Sequence, residues 1–312
     1  MCEGAGIDHR DGSQVVSLDK GGAVKLGVIT DGIDRDLERA LPVMKDHGLE
    51  YAELQYIKEK KVEDLSDTEV NQVRKLLDDQ GIKVSCISTY VFRSGSVRDI
   101  DPNSRSYKAD LEVLKRAIEI AHALGTSIIR VFSFSKDMVL FGERGAETWV
   151  VAKDAWKRYV ELMHLPARIA EDAGVTLAVE TGNGGMVNSA YLGRKLVNEL
   201  DSEGVKVLWD PCNCLYCGEP PYPQGYMYLR DGALAHVHMK DAIVEPWRAT
   251  INFTALGEGH MANSLKPLAY ALADDGYQGV ISLESVYRPT GGTFADGFRA
   301  SVPTLQRLFY MP

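Results

Sequence analysis

Four residues of metal-ligand type stand at the ends of four short apolar runs. Glu180 ends Leu-Ala-Val-Glu, Asp210 ends Val-Leu-Trp-Asp, His238 lies in His-Val-His-Met-Lys-Asp, and Glu284 ends Ile-Ser-Leu-Glu. An oxygen-rich set with one imidazole suits Mn, Mg, Co or Zn without choosing among them. Three carboxylates brought together unpaired repel one another, and a divalent cation is the natural neutraliser. Held there, the ion would act as a Lewis acid on a substrate oxygen. One acid at a strand end reads equally well as a helix N-cap or a surface carboxylate; four together weigh against that bland reading. His236, two residues before His238, shares its face of a regular strand. His238 is the preferred ligand because it stands nearer the strand end, which leaves His236 on the floor of the site.

Such a set converges only if the runs are neighbouring strands of one closed sheet. The intervals of 30, 28 and 46 residues between the four positions each accommodate a strand, a helix and their turns. Runs of strand length recur along the chain at Val24 to Thr30, Tyr51 to Ile57, Ile82 to Tyr90, Ser127 to Phe134, Val175 to Thr181, Val205 to Asp210, Ala233 to Lys240 and Gly279 to Glu284. Segments of helical period separate them, the pattern of a parallel sheet with crossover helices. The helix after the second run opens with Ser66 and Glu69 in capping-box spacing and places Val70, Val73, Leu76 and Leu77 on one face. The next aligns Leu111, Leu114, Ile118 and Ala121, and another is expected from about Val151 to Ala173. Gly48, Gly81, Gly125, Gly174 and Gly276 each follow a helical run, as a left-handed C′ residue would. Pro211 to Asp231, rich in Pro, Gly, Tyr and Cys, reads as a loop over the site with at most a short helix. The expected architecture is one α/β domain, a (β/α)8 TIM barrel over residues 24–312, preceded by a polar, Gly-rich tail at 1–23. In that fold the C-terminal strand ends carry the active site.

Composition narrows the partners. The net charge of −9 repels phosphate backbones, and no basic stripe with interleaved aromatics offsets it, so nucleic acid is not expected as a partner. No apolar run reaches the roughly 20 residues a bilayer span needs, and no signal peptide is legible, so neither a membrane association nor export is expected and the expected location is cytoplasmic. Five cysteines, Cys2, Cys86, Cys212, Cys214 and Cys217, follow no disulfide spacing and read as free thiols. Cys212, Cys214 and Cys217 offer a rival zinc site, weakened by the lack of a matching second pair.

The strings VETGNGG, LWDPCN, HMKD and LES resemble those of the xylose isomerase-like barrel family, which spans sugar phosphate isomerases and epimerases. The resemblance runs from about Val24 to the end. Ketose 3-epimerases, hydroxypyruvate isomerases, inosose dehydratases and a DNA-repair endonuclease share that barrel. The resemblance implies one metal on Glu180, Asp210, His238 and Glu284, with Glu180 and Glu284 also the acid/base residues. It departs at Asn213, where the epimerases often carry a histidine, and after the seventh strand, where the nearest arginine is Arg248. The endonuclease relatives hold three metals with extra histidines, and four of the seven histidines here fall in tail or helix segments.

The expected activity is a metal-dependent isomerase or epimerase of a keto sugar or related polyol. The alternatives are a lyase or dehydratase acting on an oxidised sugar or cyclic polyol, and a non-catalytic sugar-binding barrel. Candidates for holding substrate are Asn213, His236, Lys240, Arg248, Glu53 and Arg130, with Gln55, Asn183 and Asp241 nearby. Tyr90, Phe92, Phe132, Trp209 and Trp247 could wall the sugar, although aromatics at such positions are more often core. No Gly-rich phosphate cradle is present, which favours an unphosphorylated substrate. A homo-oligomer is compatible with the family resemblance, but no interface is legible.

Overall fold

The computed structural model describes residues 24–97, 99–136 and 154–309. The tail expected at 1–23, Cys2 and the start of the helix expected from Val151 lie outside the described residues.

Eight parallel strands close into a barrel: β1 (Lys25–Ile29), β2 (Tyr51–Leu54), β3 (Lys83–Ser88), β4 (Ile128–Val131), β5 (Thr176–Glu180), β6 (Val205–Trp209), β7 (Leu234–Met239) and β8 (Val280–Leu283). Neighbours in sequence are neighbours in space, and β1 pairs with both β2 and β8. Such strands are covered on both faces, by barrel side chains within and helices without, so runs like Leu177-Ala178-Val179, all fully buried, show no polar alternation. Around them lie α1 (Leu37–Asp46), α2 (Asp67–Gln80), α3 (Arg105–Leu124), α4 (Ala155–Ala173), α5 (Ala190–Leu200), α6 (Ala262–Asp274) and α7 (Phe294–Phe309).

Local chemistry starts and stops these helices where the sequence reading placed them. In α2 both halves of the capping box form, Ser66 Oγ accepting from the Glu69 amide and Glu69 accepting from the Ser66 amide. Gly81 then turns the chain at φ 68°, a conformation that costs other residues a Cβ clash. Val70, Val73 and Leu77 of α2 and Leu111, Leu114, Ile118 and Ala121 of α3 are buried. No helix of the described residues is long and apolar enough to cross a membrane.

Three segments depart from the expectation. β2 ends at Leu54, because Gln55 Nε2 and the Tyr56 amide turn to the Asp31 carboxylate and Tyr56–Ile57 pairs antiparallel with Lys60–Lys61. The stretch from Pro211 to Asp231 does not cover the site: after a first helical turn it serves as the crossover between β6 and β7. Tyr226 stacks near Trp209 at 6.2 Å and donates to Asp275, while Arg194 of α5 donates to the Tyr228 and Asp231 carbonyls. A second short helical stretch, ending in the α-turn Tyr226–Leu229, is held by these contacts to α5 and to the end of α6. After β7, an unanticipated antiparallel hairpin pairs Asp241–Glu245 with Thr250–Thr254.

Candidate metal centre

Glu180 ends β5, and Asp210, His238 and Glu284 lie at the corresponding ends of β6, β7 and β8. Each offers one donor atom, and the four donors lie within 4.8 Å of one another. The strand ends are locked in register. Thr181 Oγ1 donates to the Asp210 carbonyl and accepts from the Asp210 amide, at 3.2 and 2.9 Å, and the Glu284 amide donates to the Met239 carbonyl at 3.0 Å. Asp210 does serve as an N-cap, Oδ1 accepting from the Asn213 amide at 3.0 Å, but its second oxygen points into the cluster. Asp210 Oδ2, Glu180 Oε2 and His238 Nδ1 are buried and accept or donate no hydrogen bond, although Asp210 Oδ2 lies 2.6 Å from the Lys240 ammonium, Glu180 Oε2 3.5 Å from Arg130 and His238 Nδ1 3.5 Å from Glu284. Buried polar atoms left without a hydrogen bond are costly unless a ligand satisfies them; two carboxylate oxygens and an imidazole nitrogen converging in this way form a donor set that a divalent cation fits.

Below the cluster, Glu53 of β2 is fully buried. Its Oε1 faces His238 Nε2 at 2.9 Å, its Oε2 faces His236 Nε2 at 2.8 Å, and Ser88 Oγ donates to Oε1. His236 Nε2 also lies 3.1 Å from Ser282 Oγ. A carboxylate on Nε2 fixes the ring and leaves Nδ1 to face the other three donors, the arrangement by which proteins orient an imidazole toward a metal. Burial opposes a charge on Glu53, yet His238 and His236 outweigh it and hold the carboxyl well below its usual range. The structure therefore puts Glu53 and His236, read from sequence as substrate contacts, underneath His238 and out of the mouth.

Lys240 brings a positive charge into the site. Its ammonium is nearly buried, 2.6 Å from Asp210 Oδ2 and 2.7 Å from Glu284 Oε2. Burial disfavours that charge, but Asp210 and Glu284 outweigh it and raise the lysine further. Burial likewise pushes Asp210 up to about 7, against the pull of Lys240, whereas Glu284 is held well below the carboxylate range because Lys240 and His238 overcome its burial. On the other flank Arg130 Nη1 lies 3.5 Å from Glu180 Oε2, and its Nη2 donates to the Thr89 carbonyl at 3.1 Å. Asn213 Nδ2 reaches the Thr181 carbonyl at 3.0 Å and Glu180 Oε1 at 3.4 Å. Asn213 thus braces a carboxylate where a histidine would carry a titratable ring.

A cavity of about 300 Å3 opens above the cluster, with Glu180, Lys240, Glu284, Asn213, Asn183 and Phe132 in its wall. Arg93 also lines it; the sequence reading passed over this residue, which sits in the loop after β3 with no local signal to distinguish it from any exposed arginine. Arg248 is not brought to the site: it lies at the exposed tip of the hairpin, paired with Glu245 at 3.1 Å. Asp241 turns away from the mouth and accepts from the amides of Ala242, Gly257, Gly259 and Met261 at 2.8 to 3.0 Å. Of the aromatics, Phe92 and Trp209 are core and Trp247 is 77% exposed. Cys86, Cys212, Cys214 and Cys217 are free, and the metal-compatible groups among the described residues contain none of them.

A family model for the xylose isomerase-like TIM barrel matches residues 41–307. No curated protein matches the sequence. Solved structures share the fold at low identity. The probable 3-DHS dehydratase involved in petrobactin synthesis from Bacillus anthracis is 17% identical with a TM-score of 0.68, covering 91% of this chain and 99% of that one. The 3-keto-D-glucoside 4-epimerase from E. coli, in its apo form, is 19% identical with a TM-score of 0.64, covering 91% and 98%. A xylose isomerase-like TIM barrel protein from Mycobacterium smegmatis, in complex with magnesium, is 16% identical with a TM-score of 0.61, covering 94% and 99%.

Proposed function

The chain belongs to the xylose isomerase-like TIM barrel family, and from that premise we propose that it is a divalent-metal-dependent enzyme that moves a proton at the carbon next to the carbonyl of a keto sugar or oxidised polyol, with epimerisation or isomerisation as the outcome. The observation that carries this reading is the convergence of donor atoms from Glu180, Asp210, His238 and Glu284 within 4.8 Å at the mouth of the barrel, three of them buried without a hydrogen bond. These four residues would hold the ion. Bound there, it would stabilise the negative charge that develops on the substrate oxygen as the proton leaves. The solved structures that share this fold include an epimerase and a dehydratase, in keeping with an enzyme of this chemistry.

The chain's own side chains supply the rest. Glu180 and Glu284 come from the outer strands of the four-strand arc, so they flank the other two donors and can address a bound substrate from two sides. One carboxylate takes the proton and the other returns it, which inverts the carbon; used from one side, the pair isomerises. Arg130 and Lys240 keep a cation beside each glutamate, and Asn213 fixes Glu180. Elimination of water is the second reading, favoured by Lys240, whose buried ammonium beside Glu284 can protonate a departing hydroxyl.

The test is solvent-deuterium exchange into keto sugars by metal-loaded protein. Glu180→Gln and Glu284→Gln should each lower exchange by about 100-fold or more with the circular-dichroism spectrum unchanged; near-normal exchange in both variants would refute the two-carboxylate mechanism. Loss of 18 mass units from the product would select elimination instead. The same reading proposes a cytoplasmic enzyme. It also proposes that the barrel domain runs from residue 24 to 312.

A further inference from the structure

Among the described residues, the cations at the mouth are accounted for with one exception. Lys240 pairs with Asp210 and Glu284, and Arg130 faces Glu180 and the Thr89 carbonyl. Arg93 lines the same cavity as Glu180, Lys240 and Glu284, yet its guanidinium makes no hydrogen bond or ion pair to any described residue. It is held in place by rings instead: its guanidinium carbon lies 5.1 Å from the centre of Tyr90 and 5.0 Å from that of Phe132. Those two rings stack at 5.9 Å and 25°, and the buried Arg130 contacts the same pair at 5.4 and 5.0 Å. Attraction to ring faces anchors a guanidinium while leaving its N–H donors uncommitted. Glu63, Asp64 and Asp110 line the cleft on the far side of Arg93, and none of them forms an ion pair with it.

We propose that Arg93 receives an anionic substituent of the substrate, a carboxylate or a phosphate, so that the enzyme acts on an acidic keto sugar rather than a neutral one. The inference rests on the keto-sugar reading above and names its substrate class. A guanidinium offers parallel donors that match either anion. On a chain of net charge −9, an arginine beside the cavity that no described residue pairs also gives an anionic ligand a local attraction.

The test is titration calorimetry of the Mg2+-loaded protein with D-fructuronate, D-fructose 6-phosphate and D-fructose, for the parent chain, Arg93→Gln and Arg93→Lys. At least one anionic sugar should bind about tenfold or more tightly than D-fructose, the scale of one charge-assisted hydrogen bond. Arg93→Gln should erase that ratio and Arg93→Lys retain part of it; the preferred sugar tells carboxylate from phosphate. If Arg93 merely props Tyr90 and Phe132, the variants weaken all three ligands alike and the ratio stays put. An unmoved ratio, or no anion bound better than D-fructose, overturns the proposal. A ratio that moves while no sugar exchanges deuterium keeps the Arg93 assignment and removes the proton-transfer reading.

Discussion

Replacing Glu53 by Gln tests whether the residue beneath the cluster tunes the metal site. The amide is nearly isosteric, so the barrel interior keeps its volume, but the negative charge facing His238 Nε2 at 2.9 Å and His236 Nε2 at 2.8 Å is gone. Glu53 also accepts from Ser88, and an amide has one oxygen where the carboxylate has two. One of the three partners must therefore face an N–H or change tautomer. His238 loses the charge that makes its ring a stronger donor and part of what holds Nδ1 toward the other three ligands. Removing such a partner costs about 10- to 100-fold in metal affinity, or roughly 1.4 to 2.7 kcal/mol at 1.36 kcal/mol per decade. Competition against a chelator of known affinity reads this directly, with thermal denaturation of the metal-free proteins as a control for folding. A dissociation constant within twofold of the parent value, in a variant that melts normally, would refute the claim that Glu53 orients the histidine.

Lys240→Met should bind the divalent ion more tightly, by about tenfold, because a cation 2.6 Å from Asp210 and 2.7 Å from Glu284 competes for the same carboxylates; weaker binding would make Lys240 a support of the site instead. Asp241→Ala should lower stability by about 3 kcal/mol or more, since four backbone amides lose their acceptor at once, and a melting temperature within a degree of the parent would contradict this. At the start of α2, the Lys60 ammonium, together with the Ser66 amide and hydroxyl, lowers Glu69 from 4.5 to about 2. A folded-state value below the unfolded one adds stability above pH 4.5 that disappears as pH falls toward 2. The melting-temperature gap between the parent and Glu69→Gln should accordingly be present at pH 7 and close by pH 2, and a constant gap would show that the carboxylate charge is not what the cap uses.

The eight strands were legible in the sequence because a parallel barrel strand announces itself locally: a short apolar run, a helix of matching period, a glycine to turn back. The ends of β5 to β8 were legible for the same reason. The last residue of such a run points to the mouth whatever the rest of the chain does, so Glu180, Asp210, His238 and Glu284 could be grouped from spacing alone. Segments whose side chains bond outside their own unit were misread. The Pro211 to Asp231 crossover depends on Asp275 and Arg194, and the early end of β2 depends on Asp31.

Only closure of the barrel decided which charges meet. Glu53 and His238 are 185 residues apart in sequence, on strands separated by β1 and β8, and their contact crosses the interior; how far the strands are staggered when the sheet closes sets that contact, and a period-2 pattern carries no record of it. The same holds for Lys240, which reads from sequence as one more polar strand-end residue and becomes, in three dimensions, the cation between two ligand carboxylates. Arg93 is the extreme case, since the absence of a pairing partner among the described residues depends on every element around it. Residue type and position in a strand determined which groups face the mouth; the tertiary structure decided which of them are paired, because pairing is set by distances between strands that the chain order does not encode.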